Sequence, residues 1–368
     1  MPKSKIVFVI ASLVEGGSER VVTDITRHLD IEKYEAHLVL FEKKGPYLGN
    51  VGENVIVHDL AKKSRYSYFM LVFRLSRLLR KIKPKTSISF EVYASSVVWL
   101  AKFLARSRFK FIMTVRENLS SAPAVTQFQH AFRFLAKNTF QRADIVLVPS
   151  EGVGQDLLVR GDVTEGKIRK IFNPIDMVKI SQLKEEHPDF PALAGEAPFI
   201  LAVGRLHPQK GYPYLLKAFA LIKKDIDEKL LILGTGEEES QMRQLAVNLG
   251  IQRDVIFGGF QQNPYKFMRR ASVFVLPSLW EGLPNAMLEA MACGTAVVAT
   301  DCPSGPSEII THGKNGILVP PADEKALADA MRILLTDEHL RKKYALEGQK
   351  RAQDFSMETI LRQYEEIL

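Results

Sequence analysis

The sequence predicts an α/β protein made of two doubly wound, Rossmann-like domains, and three observations predict it. Short apolar runs alternate with amphipathic helical patterns, the signature of a parallel sheet covered on both faces. The alternation lapses once, over the polar, proline-bearing stretch 181–198, and then restarts. At 368 residues, the chain can give each domain its own core.

The first domain is expected over residues 1–180. Strands are predicted at 5–10, 37–41, 55–57, 86–90, 109–115 and 145–149, each a short apolar run bounded by polar or turn residues. A helix after the turn 14–19 places Val21, Val22, Ile25 and Leu29 on one side. A longer one at 66–82 carries apolar residues at Phe69, Val72, Phe73, Leu75, Leu79 and Ile82 and a basic polar face of Arg74, Arg77, Arg80 and Lys81, and stops at Pro84. Further helices are predicted at 96–105 and 128–142. Residues 181–198 form the linker and 199–354 the second domain. Its predicted strands are 199–203, 229–233, 255–257, 273–276, 296–299 and 317–319, with helices between them. The amphipathic segment 355–368 is expected to pack back on the first domain.

Composition narrows the function classes. No run of roughly 18 uncharged apolar residues occurs, so no transmembrane helix is predicted. The apolar run near the N-terminus covers only residues 6–11, with no small-residue cleavage site before Glu15, and is taken as a buried strand. Cys293 and Cys302 are the only cysteines, which argues against a disulfide framework or a cysteine zinc site and for the cytoplasm. The net charge of +8 is unevenly spread. Residues 1–180 hold 29 Lys and Arg against 17 Asp and Glu, net +12, and residues 181–368 hold 21 against 25, net −4. The first half is therefore expected to meet an anionic partner: a membrane surface, a phospholipid-linked substrate or nucleic acid. No nucleic-acid module is recognisable, so nucleic acid is not expected.

Four stretches carry chemistry. Gly16 and Gly17, after the first strand, let a backbone approach something bulky or charged, which is also what a plain tight turn would require. Gly234 to Gly236 is equally unspecific alone. In Gly204-Arg205-Leu206-His207-Pro208-Gln209-Lys210-Gly211, Arg205 leaves a strand and Lys210 precedes a helix, so a forked donor and a point charge can converge on a diphosphate. His207 is taken as a loop residue rather than a base. In Ser278–Cys302, strand, loop, helix and strand follow one another; Asn285 is the expected N-cap, and Glu281 and Glu289 flank a helix N-terminus that favours anions. Carboxylates tied to one loop and helix suit recognition of sugar or ribose hydroxyls better than a hydrolase's facing pair. Ser304-Gly305-Pro306-Ser307-Glu308 is a second helix start, with Ser304 or Ser307 as expected cap.

Taken together, VIASLVEGGSERVV, PSEGVGQDLL, IFNPID, LAVGRLHPQKGYPYLLKAF, LILGTGEE, SLWEGLPNAMLEAMACGTAVVATD, SGPSEII and FSMETI run in this order over nearly the whole chain. In this the chain resembles the retaining glycosyltransferases of the GT-B fold, group 1 or family 4 type, whose signature is Glu, seven residues, Glu. The resemblance implies two domains facing each other across a cleft and transfer of a sugar from a nucleotide donor, with no cofactor and no metal. It implies that Arg205 and Lys210 hold the donor diphosphate and Glu289 the ribose hydroxyls. Glu281 would position the donor sugar, and Leu283, Pro284 and Asn285 would present backbone to sugar and phosphate. Gly204 and Gly234 fall in the donor-binding loops, and Gly16 and Gly17 in the loop that meets the phosphates and acceptor. Relatives with a turn like 304–308 use hexoses or N-acetylhexosamines, which favours a UDP-sugar. One departure stands out: where many members carry His, this chain has Val115-Arg116-Glu117-Asn118, so Arg116, Glu117 or Asn118 is expected to contact sugar or acceptor. The implied acceptor is lipid-linked or an oligosaccharide in surface-polysaccharide synthesis, at the cytoplasmic face of a membrane that the basic first domain touches. The alternatives are a soluble acceptor, a nucleotide-sugar epimerase, or a non-catalytic nucleotide-sugar-binding subunit. The intact Glu281, Glu289, Arg205 and Lys210 argue against the last.

Overall fold

The computed structural model describes residues 2–14, 16–64, 67–121, 128–188, 190 and 198–368, without the side chains of 128–134. The chain divides into two compact units, Met1–Pro174 with Met357–Leu368, and Ile175–Ser356.

The first unit is one parallel sheet of seven strands: β1 (Ser4–Ile10), β2 (Tyr34–Leu40), β3 (Ile56–Asp59), β4 (Thr86–Phe90), β5 (Lys110–Thr114), β6 (Ile145–Val148) and β7 (Ile168–Lys170). Their spatial order is β3-β2-β1-β4-β5-β6-β7. Helices α1 (Gly17–His28), α2 (Tyr68–Ile82), α3 (Val92–Ala105), α4 (Phe128–Arg142) and α5 (Glu151–Val159) make the crossovers. A strand buried on both faces needs an unbroken apolar run, and β1 has one. Ile6, Phe8 and Ile10 pack with Val21, Val22 and Ile25 of α1. Val7 and Val9 join the opposite core, with Leu71, Leu75 and Leu79 of α2 and Val97, Val98 and Ala101 of α3.

The second unit holds β8 (Phe199–Val203), β9 (Lys229–Leu233), β10 (Val255–Phe257), β11 (Val273–Leu276), β12 (Val297–Thr300) and β13 (Ile317–Val319), all parallel, in the order β10-β9-β8-β11-β12-β13. Its helices are α6 (Met177–Leu183), α7 (Tyr212–Ile222), α8 (Glu239–Asn248), α9 (Tyr265–Met268), α10 (Asn285–Ala292), α11 (Pro306–Ile309), α12 (Glu324–Thr336) and α13 (Glu338–Ala352). Leu215, Leu216 and Phe219 of α7 meet Leu327, Met331 and Leu334 of α12 in its core. The last helix, α14 (Met357–Ile367), belongs to the first unit, where Ile360, Tyr364 and Ile367 join the core beside α1.

Several local features differ from the sequence reading. The units divide after Pro174 rather than at 180, because α6 is held in the second unit; Asn263 Nδ2 donates to the Leu183 carbonyl at 2.8 Å. Phe190, read as linker, packs edge-on against Phe267 at 5.8 Å; Asp189 and residues 191–197 lie outside the described residues. Strand β7 and helices α5 and α6 carry too short a pattern to be read beforehand. Helix α3 starts at Val92, four residues early, and α2 at Tyr68; residue 66 lies outside the described residues. Among the described residues, no helix is long and apolar enough to cross a membrane.

Candidate active site

In an open parallel sheet, ligands bind beyond the carboxyl ends of the strands, where the strand order reverses. In the second unit the chain runs outward from β8 through β9 to β10, then returns to place β11 on the other side of β8. The reversal therefore falls between β8 and β11. The loop after β8 carries Gly204, Arg205 and Lys210, and the loop after β11 carries Glu281.

The two loops are pressed together. Gly211 adopts φ +62, and a Cβ there would lie 2.1 Å from the Pro277 carbonyl oxygen, so only glycine fits. Gln209 ties the loops further: its carbonyl accepts from Leu279 N at 2.7 Å and its side-chain amide donates to the Trp280 carbonyl at 2.9 Å. Lys210 ends a short 3₁₀ turn, Pro208–Lys210, which His207 caps by accepting from Gln209 N at 3.2 Å. From that turn Lys210 Nζ reaches Glu281 Oε1 at 2.5 Å, and Ser278 Oγ donates to the same oxygen at 2.6 Å. The pair is largely out of solvent, with side chains 18% and 6% exposed. A buried carboxylate needs both a countercharge and a hydrogen bond, and Glu281 has them.

Around this pair the backbone is tightly stacked. A Cβ on Gly234, which has φ +133, would lie 2.0 Å from the Gly204 carbonyl oxygen. Tyr212 Oη donates to that same carbonyl at 3.1 Å, and burial first, then the Glu281 carboxylate, push its phenol pKa up. Arg205 lies at the same sheet edge, exposed, and its guanidinium has no protein partner among the described residues. Leu283 and Pro284 are buried, and Glu281 N donates to the Pro303 carbonyl at 3.3 Å.

Asn285 is not the N-cap of α10. Pro284 takes the cap position without a side-chain hydrogen bond, and Asn285 is the first helical residue. Proline's fixed φ suits a helix entrance, which explains the shift. Glu289 follows in the second turn, buried; burial first, and then Glu289, push the Cys293 thiol up to about 12. Cys302 is likewise pushed up to about 12, by burial and then by Glu281. At α11, Gly305 holds the cap position, so neither Ser304 nor Ser307 caps that helix.

In the first unit the order reverses between β1 and β4. Gly16 is the N-cap residue of α1 and Gly17 its first residue. The Glu19 carboxylate folds back over Gly16, where a Cβ would lie 2.2 Å from Oε2, so a negative group already sits at this helix start. Sequence reasoning passed over Glu19, although its spacing from Gly16 is that of a capping box. It also passed over Glu91, which follows β4 with φ 73 and ψ 150, a backbone region that only glycine visits freely. Of Arg116, Glu117 and Asn118, which follow β5 and Val115, Arg116 is turned inward. Its Nη2 donates to Asn173 Oδ1, and its guanidinium carbon lies 5.8 Å from the Phe90 ring centre. Burial lowers its pKa, while the nearby Tyr364 hydroxyl and Glu19 carboxylate raise it. Its Nη1 and the Tyr364 hydroxyl are buried without a hydrogen bond of good geometry. Asn118 is buried and accepts from Ser121 N and Oγ, both at 3.0 Å, whereas Glu117 is exposed.

Two parallel-sheet α/β units, the second with a cation and a carboxylate at its reversal point, make the GT-B class of fold. Solved structures agree: HepE from Anabaena, in complex with UDP and glucose, superposes with a TM-score of 0.83 at 23% identity over 99% of this chain and 98% of that one. Sucrose-phosphate synthase from Thermosynechococcus elongatus gives 0.84 at 21% identity, over 99% and 98%. Glycosyltransferase Family 4 matches residues 15–179 and Glycosyl transferases group 1 residues 184–351. An N-acetylgalactosamine-N,N'-diacetylbacillosaminyl-diphospho-undecaprenol 4-alpha-N-acetylgalactosaminyltransferase of Campylobacter jejuni is 30% identical, with 96% of each chain covered. A second C. jejuni relative, a GalNAc-alpha-(1->4)-GalNAc-alpha-(1->3)-diNAcBac-PP-undecaprenol alpha-1,4-N-acetyl-D-galactosaminyltransferase, is 25% identical, with 99% of this chain and 98% of that one covered. The chain belongs to the group 1 glycosyltransferases, and it is an enzyme of that kind.

Proposed function

We propose that this enzyme transfers a hexose or N-acetylhexosamine, with retention, from a UDP-sugar to a lipid-linked acceptor in cell-surface glycan synthesis. The observation that carries the reading is the Lys210–Glu281 pair at the sheet reversal of the second unit, with Arg205 exposed on the adjoining loop. When the bond from the anomeric carbon to the phosphate oxygen breaks, its electron pair leaves with the diphosphate. Arg205 and Lys210 offset that charge, a preorganised electrostatic contribution. Glu281 holds the donor sugar hydroxyls, Glu289 the ribose diol, and Leu283, Pro284 and Asn285 offer backbone to the donor. In the first unit, Gly16 and Gly17 serve the phosphates or acceptor once the Glu19 carboxylate swings away from Gly16. Residues 116–118 serve the sugar or acceptor, with Glu117 the exposed member. The C. jejuni relatives, named for diphospho-undecaprenol-linked acceptors, support a lipid-linked acceptor and a peripheral place on the inner face of the membrane, reached through the basic first unit.

The test has two arms. A panel of nucleotide sugars is screened by melting temperature; a donor at about a hundred times its Kd adds about 2.7 kcal/mol, a shift of several degrees. The stabilising donor is then incubated with a polyprenyl-diphosphate-linked sugar, and UDP release and the anomeric configuration of the product are measured. Release that the acceptor accelerates, with a retained anomer, is expected. Tight UDP binding with no turnover would replace this reading by a non-catalytic binding subunit.

A further inference from the structure

The outward faces of α2 and α3 carry large aromatic side chains that the fold leaves in solvent: Phe69 is 82% exposed and Phe103 80%, with Phe73, Met70 and Leu104 also exposed. A helix of a soluble unit buries such residues on its core stripe, as α2 does with Leu71, Leu75 and Leu79. Here they stand on the opposite side. The two helices form one layer, joined by Tyr68 Oη donating to Ser96 Oγ at 2.9 Å and by the Tyr68 and Tyr93 rings at 5.7 Å. On α2, Phe69, Phe73, Arg77 and Arg80 follow at intervals of four, four and three and so share one side. On α3, Phe103 and Leu104 are exposed, and the cation Arg106 follows just past the helix end.

The charge of this region is equally one-sided. Residues 62–110 contain 13 Lys and Arg and a single acid, Glu91. Among the described residues, none of Arg77, Arg80, Lys81, Lys83, Arg106 and Arg108 is in an ion pair, and all six are exposed. A solvated basic face would not also carry two almost fully exposed phenylalanines. An aromatic face ringed by unneutralised cations is complementary to one kind of surface, the headgroup and acyl boundary of an anionic bilayer.

We propose that the α2–α3 face is the membrane-docking surface of this enzyme, with Phe69, Phe73 and Phe103 entering the acyl boundary and the six cations lying among anionic headgroups. It rests on the membrane-linked acceptor proposed above, deepens that reading, and adds that docking has an apolar component as well as an ionic one. Each cation at the surface strengthens binding about fivefold, and each buried phenylalanine adds about tenfold or more.

The test uses the full chain and vesicles of about three parts phosphatidylcholine to one part phosphatidylglycerol, with pure phosphatidylcholine as control. The wild type is expected to float with the anionic vesicles. The pair Phe69→Ser with Phe103→Ser should lower partitioning by about a hundredfold or more, and Arg77→Gln with Arg80→Gln about twentyfold or more at low salt. A Phe103→Trp variant should shift its emission to the blue on adding vesicles. Transfer to a short-chain, water-soluble acceptor should be unaffected in all of them, because none of these residues lies in the candidate active site. Undiminished flotation of the serine pair, or an unshifted Phe103→Trp spectrum, would overturn the docking face. So would a dimer that the serine pair dissociates in a chain that ignores vesicles, since a second copy would then cover the face. Vesicle binding without transfer to any acceptor would instead overturn the proposed activity and leave the docking face standing.

Discussion

Lys210→Ala tests the ion pair and the chemistry assigned to it in one variant. The substitution leaves the Glu281 carboxylate, 6% exposed, with the Ser278 hydroxyl at 2.6 Å and without its cation at 2.5 Å. Removing one partner of a fully buried pair costs about 3–5 kcal/mol. The Lys210 side chain is 18% exposed and Ser278 still donates, so about 2 kcal/mol is the better expectation. For a unit of this size that lowers the melting temperature by about 4–8 °C. Catalysis should suffer more: with one of two cations missing from the departing diphosphate, kcat/KM should fall by about 100- to 1000-fold, with weaker UDP binding. Calorimetry on Lys210→Ala, Glu281→Gln and the double variant then isolates the pair. The double should be less destabilised than the sum of the singles by about 1–3 kcal/mol. Additivity within about 0.5 kcal/mol would refute the pairing. Unchanged UDP affinity and turnover in Lys210→Ala would refute its place at the phosphates.

Ser278→Ala removes the second partner of Glu281 and keeps the cation, so a smaller loss is expected, about 1 kcal/mol by denaturant midpoint, together with a reduced kcat. A wild-type midpoint would mean that the hydroxyl is not bonded to the carboxylate. The first unit should carry its own pH dependence. His58 Nε2 lies 3.0 Å from His37 Nδ1, which in turn meets Glu35, and burial, then His37 and Lys81, lower the His58 pKa from 6.5. Below pH 6.5 the unfolded chain takes up that proton before the folded one does, so stability is full above this pH and falls as pH drops through it. Melting temperatures at about pH 7.5 and about pH 5.5 should differ more for the wild type than for His58→Gln, and an equal difference would show that the imidazole pair does not matter.

Much of the fold was legible because its signals are local. A strand covered on both faces must be apolar without interruption, as in residues 6–10, and a helix between two layers must repeat its apolar positions, as α1 does with Val21, Val22 and Ile25. Glycines at 204, 211 and 234 marked the loops that pack backbone on backbone, and Arg205, Lys210, Glu281 and Glu289 stood out by charge beside those loops. Strand β7, with one apolar residue in three, and helices α5 and α6, of nine and seven residues, were not legible, since the first lacks an apolar run and the other two are shorter than the window over which helical periodicity can be recognised. The cap of α10 was misplaced because Asn285 and Pro284 both suit a helix entrance, and only the backbone angles decide between them.

By itself, then, the sequence determined two alternating α/β units, the loops that end their strands, and the charged residues those loops carry. Strand order was beyond its reach, because any order of six parallel strands satisfies the same apolar runs. The tertiary structure alone decided that β11 lies beside β8, which brings Lys210 to Glu281 across 71 residues of chain. It also decided that Arg116 turns inward to Asn173. Such contacts depend on which elements become neighbours, and that is set by burying whole faces at once rather than by the residues on either side of each partner.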